Sequence, residues 1–491
     1  MVFSSTVFLF LFLPIVLIIY YNPIIKNRKF KNLFLLIVSL LFYAYGEPVF
    51  IFFMLFSIMV NYLLGRLVAQ SPKGKKGNSK HYVTIAYIYN LFVLFIFKYL
   101  TFVLKEFNLL FKNDSFTINI ALPIGISFFT FQMLSYVIDV YKDPKKVQKN
   151  IINVALYVSL FPQLIAGPIV RYETVANELE NRKENINDFI CGLYRFIYGL
   201  GKKVLISNYV GLIADNIFQN IQTSPIAVGT AWIGAIAYTL QIYFDFSGYS
   251  DMAIGLGKMF GFHFDENFNY PYIAKSITDF WRRWHISLSS WLKDYIYIPL
   301  GGNRKGKLRK YLNTFITFAI SGVWHGSGLT FLIWGVLHGL YNMIENILTD
   351  IGIMKKNKSN MPFGARFLRA TFTFILVDFA WIFFKADSVQ HACSYIIQMF
   401  TVKDFWILSD MNKFFSLGLG AQELFILIFA LMILGGMDLI AYKRDIRIDQ
   451  WLNIQGPVFR MIFTLAILLY TMVFGLYGEV ADPASFYYMS F

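Results

Sequence analysis

The sequence predicts an all-α protein that crosses a membrane many times. Hydrophobic residues make up 57% of its 491 positions and charged residues only 15%, whereas soluble domains average about 25% charged residues. The mean hydropathy of +0.53 agrees with this composition. Apolar stretches long enough to cross about 30 Å of hydrocarbon recur along the whole chain. Together these observations argue against a soluble helical protein, because so much apolar surface has to face lipid.

The apolar runs predict about ten to thirteen membrane crossings, some of them re-entrant. They lie near residues 7–21, 33–46, 49–69, 82–104, 119–141, 151–167, 190–218, 226–246, 311–322, 329–347, 366–386, 421–441 and 458–477. The first run has neither the basic flank nor the cleavage site of a secretory signal, so we interpret it as a retained span.

Basic residues between the spans predict the orientation of the chain. They follow the first, third and fifth runs, as Lys26, Arg28, Lys29, Lys31, Arg66, Lys73, Lys75, Lys76, Lys80, Lys142, Lys145, Lys146 and Lys149. The connections at Glu47 and at 105–114 are poor in net positive charge. The positive-inside rule therefore places the N-terminus outside the cell. This placement explains the net charge of +15 better than nucleic-acid binding does.

The segment 264–310 interrupts the apolar rhythm with Trp, Tyr, Arg, Lys, Asn and Pro. Polar segments at membrane depth persist only where protein or water covers them, so this one should line a cavity or lie on the cytoplasmic surface. Ser276, with Asp279 three residues later, predicts a helix start. On the helix that follows, Trp281, His285 and Leu288 would share one face.

Four of the six histidines fall between residues 263 and 338. An ionisable group inside a membrane span indicates a functional site. His325 lies in SGVWHGSG, and its glycines should let the backbone approach a substrate closely. A neutral imidazole there could take a proton from a hydroxyl that attacks an acyl carbonyl; the alternative is a packing role. His338 would lie about 220° around a continuous helix from His325, so either the glycines interrupt that helix or His338 is structural. His263 is interpreted as a loop residue.

A second group of polar residues suggests an anion site and a cavity wall. Arg282, Arg283 and Lys293 surround His285, and arginine can bind the phosphates of a donor in a bidentate manner; the alternative is contact with lipid headgroups. We expect further cavity-lining residues to be Asp245, Ser247, Tyr249, Asp251, Trp324 and His338. The four residues from 245 to 251 are equally consistent with packing within the helix bundle.

Several enzyme classes lack their usual motifs in this chain. There is no G-x-S-x-G, no Walker A sequence and no H-E-x-x-H. The histidine cluster has no carboxylates or thiolates at ligand spacing, so we expect neither a metal nor a bound cofactor.

Six longer stretches of the chain are similar to a known family. They are ISFFTFQMLSYVIDVYK, FPQLIAGPIVRY, YFDFSGYSDMAIGLGKMFGF, NFNYPYIAKSITDFWRRWHISLSSWLKDYIYIPLGGN, SGVWHGSGLTFLIWGVLHG and FILVDFAWIFFKADS. These stretches resemble the membrane-bound O-acyltransferases, most closely the branch that O-acetylates alginate and other extracellular polysaccharides. The teichoic acid D-alanyl transferases share the histidine motifs more distantly. The family's essential histidine falls on His325 and its second motif histidine on His285.

The resemblance implies a ring of helices around a central tunnel, in which cavities from both membrane faces meet near the histidine. It implies acetyl-CoA or an acyl carrier thioester as the cytoplasmic donor, a bacterial plasma membrane, and an extracytoplasmic SGNH-like acetyltransferase as partner. We predict a core over 1–354, with its catalytic region at 120–347, and C-terminal transmembrane helices over 355–491. The alternatives are D-alanyl transfer to teichoic acid and a transporter or flippase for a lipid-linked substrate.

Overall fold

The computed structural model describes residues 1–71, 77–111, 118, 120–221, 226–354, 361–401 and 417–477. Within these ranges the chain is helical and contains no β-strand, as the sequence predicts. The predicted boundary at 354/355 falls beside residues outside these ranges, so the division into a core and C-terminal helices stays a prediction.

The first half of the chain forms eleven helices in the described ranges. They are α1 (Leu13–Tyr20), α2 (Arg28–Gly46), α3 (Phe50–Gln70), α4 (Ser79–Leu94), α5 (Leu100–Phe111), α6 (Ile126–Lys142), α7 (Ile151–Ser159), α8 (Phe161–Leu164), α9 (Tyr172–Asn181), α10 (Ile186–Gly201) and α11 (Asn208–Asn220). Wider π-helical turns precede α1 at Phe8–Phe12, join α4 to α5 at Phe95–Tyr99 and join α10 to α11 at Lys202–Ser207.

Ten more helices follow in the described part of the second half. They are α12 (Val228–Met259), α13 (Ile277–Trp281), α14 (Ile286–Leu292), α15 (Lys307–His325), α16 (Leu329–Asp350), α17 (Phe363–Lys385), α18 (Val389–Thr401), α19 (Ala421–Arg444), α20 (Ile448–Asn453) and α21 (Pro457–Phe474). A π-helical turn, Lys293–Tyr297, follows α14.

Among the described residues, six helical stretches are long and apolar enough to span a membrane by themselves, and Phe8–Tyr20 is a shorter apolar one. The six are Arg28–Gly46, Phe50–Gln70, Ser79–Phe111, Phe363–Lys385, Ala421–Arg444 and Pro457–Phe474. The all-α polytopic membrane class is thereby confirmed, while the ring, the tunnel and the outward N-terminus stay predictions. The predicted single run at 151–167 is wrong as one helix: the chain breaks at Leu160, between α7 and α8, and Pro162 occupies the first turn of α8.

Close helix packing shapes the middle of the molecule. A side-chain carbon added at Gly199 of α10 would lie 2.5 Å from the Gly248 carbonyl oxygen of α12. One added at Gly255 of α12 would come equally near the Gly192 carbonyl oxygen. Small residues facing each other allow such backbones to approach, as in other membrane bundles.

Candidate active site

His325 is the last residue of α15, and only 2% of its surface is exposed. Its Nδ1 lies 2.6 Å from the carbonyl oxygen of Ser321, one turn earlier. A carbonyl can only accept, so Nδ1 carries the hydrogen and Nε2 of the neutral ring carries the lone pair. That tautomer is the one a general base needs, because Nε2 can accept a proton.

Gly322 and Gly326, on either side of His325, allow close helix packing, a role that the interpretation of SGVWHGSG did not include. The helix ends at His325, and α16 begins at Leu329 and runs back along α15. A side-chain carbon at Gly322 would lie 2.5 Å from the Phe331 carbonyl oxygen, and one at Gly326 would collide with the Phe331 ring. The glycines therefore let α15 and α16 pack tightly beside the histidine.

His338 approaches His325 because the helix is interrupted between them. The ring of Trp334 lies 4.7 Å from that of His325 and 5.0 Å from that of His338. Trp281 donates its indole N–H to Nδ1 of His338 over 3.2 Å. His338 is fully buried, so the structure places it behind Trp281 as a hydrogen-bond acceptor.

His285 lies in a break between two short helices, so the predicted continuous helix carrying Trp281, His285 and Leu288 is wrong. Ser276 does cap α13 by accepting from the Asp279 amide, but α13 ends at Trp281. His285 then adopts a left-handed conformation with φ of 44°, which histidine tolerates better than most non-glycine residues.

Asn267 fixes His285 in this unusual conformation. Its side-chain oxygen lies 3.1 Å from His285 Nδ1, and it also accepts from the amide and hydroxyl of Ser287. Its backbone carbonyl accepts from the Ile286 amide. The ring of His285 thereby comes to within 6.3 Å of the Trp324 ring, which itself lies 4.9 Å from that of His325. The two motif histidines thus flank one tryptophan.

Arg282 and Lys293 line one cavity of about 270 Å³, together with Trp281, Phe318 and Asn346. We call it the Arg282 cavity. Trp281 forms part of its wall and contacts Trp334 at 5.8 Å, so these two tryptophans lie between the cavity and His325. The position of Arg282 and Lys293 on one wall is consistent with an anion site.

Arg283 points elsewhere and does not share that wall. Its guanidinium bonds to the Asp279 carboxylate at 3.0 Å and to the Asn269 carbonyl. It lines a different, polar cavity of about 500 Å³ with Glu266 and Arg447. The structure therefore separates Arg283 from the other two predicted donor-binding residues.

The four polar residues of α12 divide between a small cavity and the helix bundle. Ser247 and Asp251 line a polar cavity of about 30 Å³. Asp245 instead forms an ion pair with Lys203 at 2.5 Å, and the ring of Tyr249 stacks on Phe3 at 4.6 Å. The last two positions therefore correspond to the packing alternative.

Asp251 belongs to a buried charge network. Arg195 lies 2.7 Å from Asp251, 2.6 Å from Glu266 and 3.2 Å from Asp449. Asp449 also pairs with Lys258 at 2.5 Å and is fully buried. Because Asp449 belongs to α20, the network attaches the C-terminal helices to α10 and α12.

A further cavity of about 320 Å³ lies at the other end of α15. Its wall includes Lys98, Thr101, Gly326, Ser327 and Phe331, and we call it the Lys98 cavity. Phe318 of the Arg282 cavity and Gly326 of the Lys98 cavity are separated by about 12 Å along the helix axis. Along the chain, His325 therefore lies between Phe318, which lines the Arg282 cavity, and Gly326, which lines the Lys98 cavity.

Comparison with known proteins defines the family. Residues 142–351 match the model of the membrane-bound O-acyltransferase family. A probable alginate O-acetylase of Pseudomonas syringae pv. tomato is 42% identical over 444 residues, covering 89% of this chain and 82% of that protein. The chain belongs to the membrane-bound O-acyltransferase family. The expectation drawn from the sequence motifs is thereby confirmed.

Two other relatives of this O-acyltransferase carry different names. A peptidoglycan O-acetyltransferase of Helicobacter pylori is 37% identical over 80% of this chain and 78% of its own length. A teichoic acid D-alanyltransferase of Bacillus subtilis is 27% identical over 56% of this chain and 71% of its own length. The O-acetyltransferases therefore share more of the chain at higher identity than the D-alanyltransferase does.

Two features of this O-acyltransferase were missed by sequence reasoning. Lys98 lies inside the apolar run 82–104, and a lone lysine within a span was the available signal. The hydrogen bond from Trp281 to His338 joins residues 57 positions apart, so no local pattern indicates it. Within the part of the chain that the structure describes, no three His, Cys, Asp or Glu side chains cluster as a metal site requires.

Proposed function

We propose that this O-acyltransferase moves an acetyl group from a cytoplasmic thioester, either acetyl-CoA or an acyl carrier protein, toward an extracellular or cell-wall polysaccharide. The observation that carries the proposal is that buried His325, with its lone pair on Nε2, follows Phe318 of the Arg282 cavity on α15 and directly precedes Gly326 of the Lys98 cavity. A base at this point can serve a donor and an acceptor that arrive from opposite membrane faces.

The inferred direction of transfer rests on the positive-inside rule. The basic residue Lys142 lies over the Tyr295 ring at 4.5 Å, and Tyr295 belongs to the segment that leads away from Lys293. The positive-inside rule assigns this basic end to the cytoplasm. The connection at Glu47 is poor in basic residues and is assigned to the opposite membrane face. The Glu47 carboxylate accepts a hydrogen bond from the Ile124 amide, and Leu122, two residues before Ile124, lines the Lys98 cavity. The donor would therefore enter by the Arg282 cavity and the acceptor by the Lys98 cavity.

The chemistry assigns each group a role. His325 Nε2 takes the proton of the acceptor hydroxyl as its oxygen attacks the thioester carbonyl. Arg282 and Lys293 attract the phosphates of the donor. His285 orients the donor or polarises its carbonyl from the other side of Trp324.

Acetyl is the favoured acyl group because the alginate and peptidoglycan O-acetylating relatives align at 37–42% identity. D-Alanyl transfer has only the more distant relatives behind it. Membership in an enzyme family weighs against a transporter or flippase. By the same reasoning we place the protein in the plasma membrane of a bacterium, with a separate extracytoplasmic SGNH-like acetyltransferase completing the polymer.

Polymer-linked acetate tests the proposal in cells that carry wild type or His325→Ala. A matched control is His263→Ala, since His263 is half-exposed in a loop between α12 and α13. We expect acetate to vanish with His325→Ala at unchanged membrane abundance and to persist with the control. Persistence with His325→Ala would contradict the proposal.

A further inference from the structure

We propose that Lys98 is a catalytic residue that stabilises the oxyanion formed during acyl transfer, acting from the acceptor side of His325. This inference rests on the proposed function and adds a group to which neither the family match nor the relatives' names assign a role.

Lys98 is a deeply buried cation in a wall of apolar helices. Only 9% of its surface is exposed, and it lies in the π-helical turn between α4 and α5. Among the described residues, no carboxylate forms an ion pair with it. A buried ammonium without a counter-charge is costly, so a lysine at this position calls for a functional explanation.

The contacts of Lys98 bring it to the catalytic peptide. Nζ donates to the carbonyl oxygen of Trp324, the residue directly before His325, and to Ser127 Oγ at 3.3 Å. Nζ also lies 5.6 Å from the centre of the Trp324 ring. The ammonium is therefore held within one residue of the proposed base.

An ammonium has three N–H donors, and these contacts use two of them. Because Lys98 also lines the Lys98 cavity beside Gly326 and Ser327, the third donor is available to a substrate oxygen there. The cavity borders the start of α16, where the positive end of the helix dipole favours negative charge. Both features suit an oxygen that becomes negative in the transition state.

The acceptor oxygen bonds to the thioester carbonyl carbon while its proton moves to His325 Nε2, and the carbonyl π electrons move to oxygen. Lys98 holds that oxyanion. As the carbonyl re-forms, the carbon–sulfur bond breaks, and the thiolate leaves with the proton returned by the imidazolium.

The test compares Lys98→Met, Lys98→Arg and Lys80→Met in purified protein reconstituted in liposomes with acetyl-CoA. Lys80 lies in the first turn of α4, which leads into the π-helical turn of Lys98, and is exposed, so its variant removes the same charge outside the site. We expect kcat to fall about 10²- to 10³-fold in Lys98→Met, as when one oxyanion donor is lost. The KM for donor and acceptor should change less than about threefold, while Lys98→Arg keeps at least tenfold more activity than Lys98→Met.

A kcat in Lys98→Met within about threefold of wild type would overturn the inference, and so would a change confined to the acceptor KM. If Lys98→Met does not accumulate, Lys98→Gln replaces it, because glutamine keeps a donor but no charge. His325→Ala separates the two claims: its inactivity beside an active Lys98→Met removes only the role of Lys98, whereas its activity removes both.

Discussion

Nδ1 of His325 donates a hydrogen bond to the Ser321 carbonyl oxygen at 2.6 Å, within the last turn of α15. The acceptor belongs to the backbone, so no substitution of a neighbouring side chain removes it. The ring orientation is therefore built into the helix end. This differs from His285, which depends on the side chain of Asn267.

That difference predicts distinct outcomes at the two positions. Asn267→Ala removes this acceptor from His285 and from Ser287, and the loss of buried hydrogen bonds typically costs about 1–3 kcal/mol. We expect a lower melting temperature and a lower transfer rate. Ser321→Ala should leave the transfer rate within about twofold, because it retains the carbonyl. A Ser321→Ala variant more impaired than Asn267→Ala would contradict the account.

His338 is predicted to act through Trp281. His338→Phe keeps an aromatic ring but removes the acceptor of the Trp281 indole N–H, which should cost about 1–3 kcal/mol. The double variant Trp281→Phe/His338→Phe removes both partners and should recover part of this loss. Thermal unfolding in detergent of the wild type, the two single variants Trp281→Phe and His338→Phe, and the double variant measures this double-mutant cycle. Tyr341→Phe, one turn beyond His338, is the control. Strict additivity of the two single changes would show that the hydrogen bond contributes nothing.

Donor affinity should depend on Arg282 and Lys293 but not on Arg283. Arg282→Met and Lys293→Met each remove a cation from the Arg282 cavity, and we expect the KM for acetyl-CoA to rise about tenfold, corresponding to about 1.4 kcal/mol. Arg283→Met breaks the bond to Asp279 instead. It should lower stability with little change in KM. If Arg283→Met has the largest effect on KM, the assignment of the donor cavity is wrong.

The buried network around Asp449 predicts a strong dependence on the C-terminal helices. Asp449→Ala leaves Arg195 and Lys258 without this carboxylate inside the protein, which typically costs about 3–5 kcal/mol. Glu173→Ala breaks the exposed pair with Lys146, worth at most about 1 kcal/mol. The melting temperatures of Asp449→Ala and Glu173→Ala, each measured against wild type, test this difference in stability. Equal, small shifts would contradict a supporting role for the network.

One surface pair makes stability depend on pH. The bond between His263 and Glu178 raises the pKa of the histidine above its ordinary value. A raised pKa means that the pair stabilises the fold fully below the unfolded-state pKa of about 6.5, and that this contribution is lost as pH rises through the folded-state pKa. The effect should stay below about 1 kcal/mol, because the imidazole is half-exposed. Unfolding from pH 5 to 9 should show this dependence in wild type and lose it in His263→Gln.

The helices were predictable because apolar periodicity and length are local properties of the chain. The runs at 33–46 and 49–69 coincide with α2 and α3 to within a few residues at their C-terminal ends. An interruption of the helix after His325 was one of the two alternatives that its glycines left open. The break at His285 was not predictable from helical spacing. It depends on Asn267, eighteen residues earlier, which accepts hydrogen bonds that a continuous helix would have used.

The residue types of the candidate site could be predicted from the sequence, but their contacts could not, and their catalytic and binding roles stay predictions. His325 stands out as an ionisable group in an apolar run, and Arg282 and Lys293 stand out as cations beside His285 in the polar segment; the structure places these two cations on one wall. Arg283, adjacent in sequence, turns toward Asp279, and Asp245 toward Lys203. Which of two neighbouring charges pairs within the bundle depends on tertiary contacts that no local pattern contains.

The most direct test of the central claim is the acetyl-transfer rate of His325→Ala, measured with acetyl-CoA binding to the same reconstituted protein. We predict that the donor dissociation constant stays within about threefold while the transfer rate falls by about 10² to 10⁴, the usual contribution of a general base. A transfer rate close to that of wild type would show that His325 is structural and that the proposed mechanism is wrong.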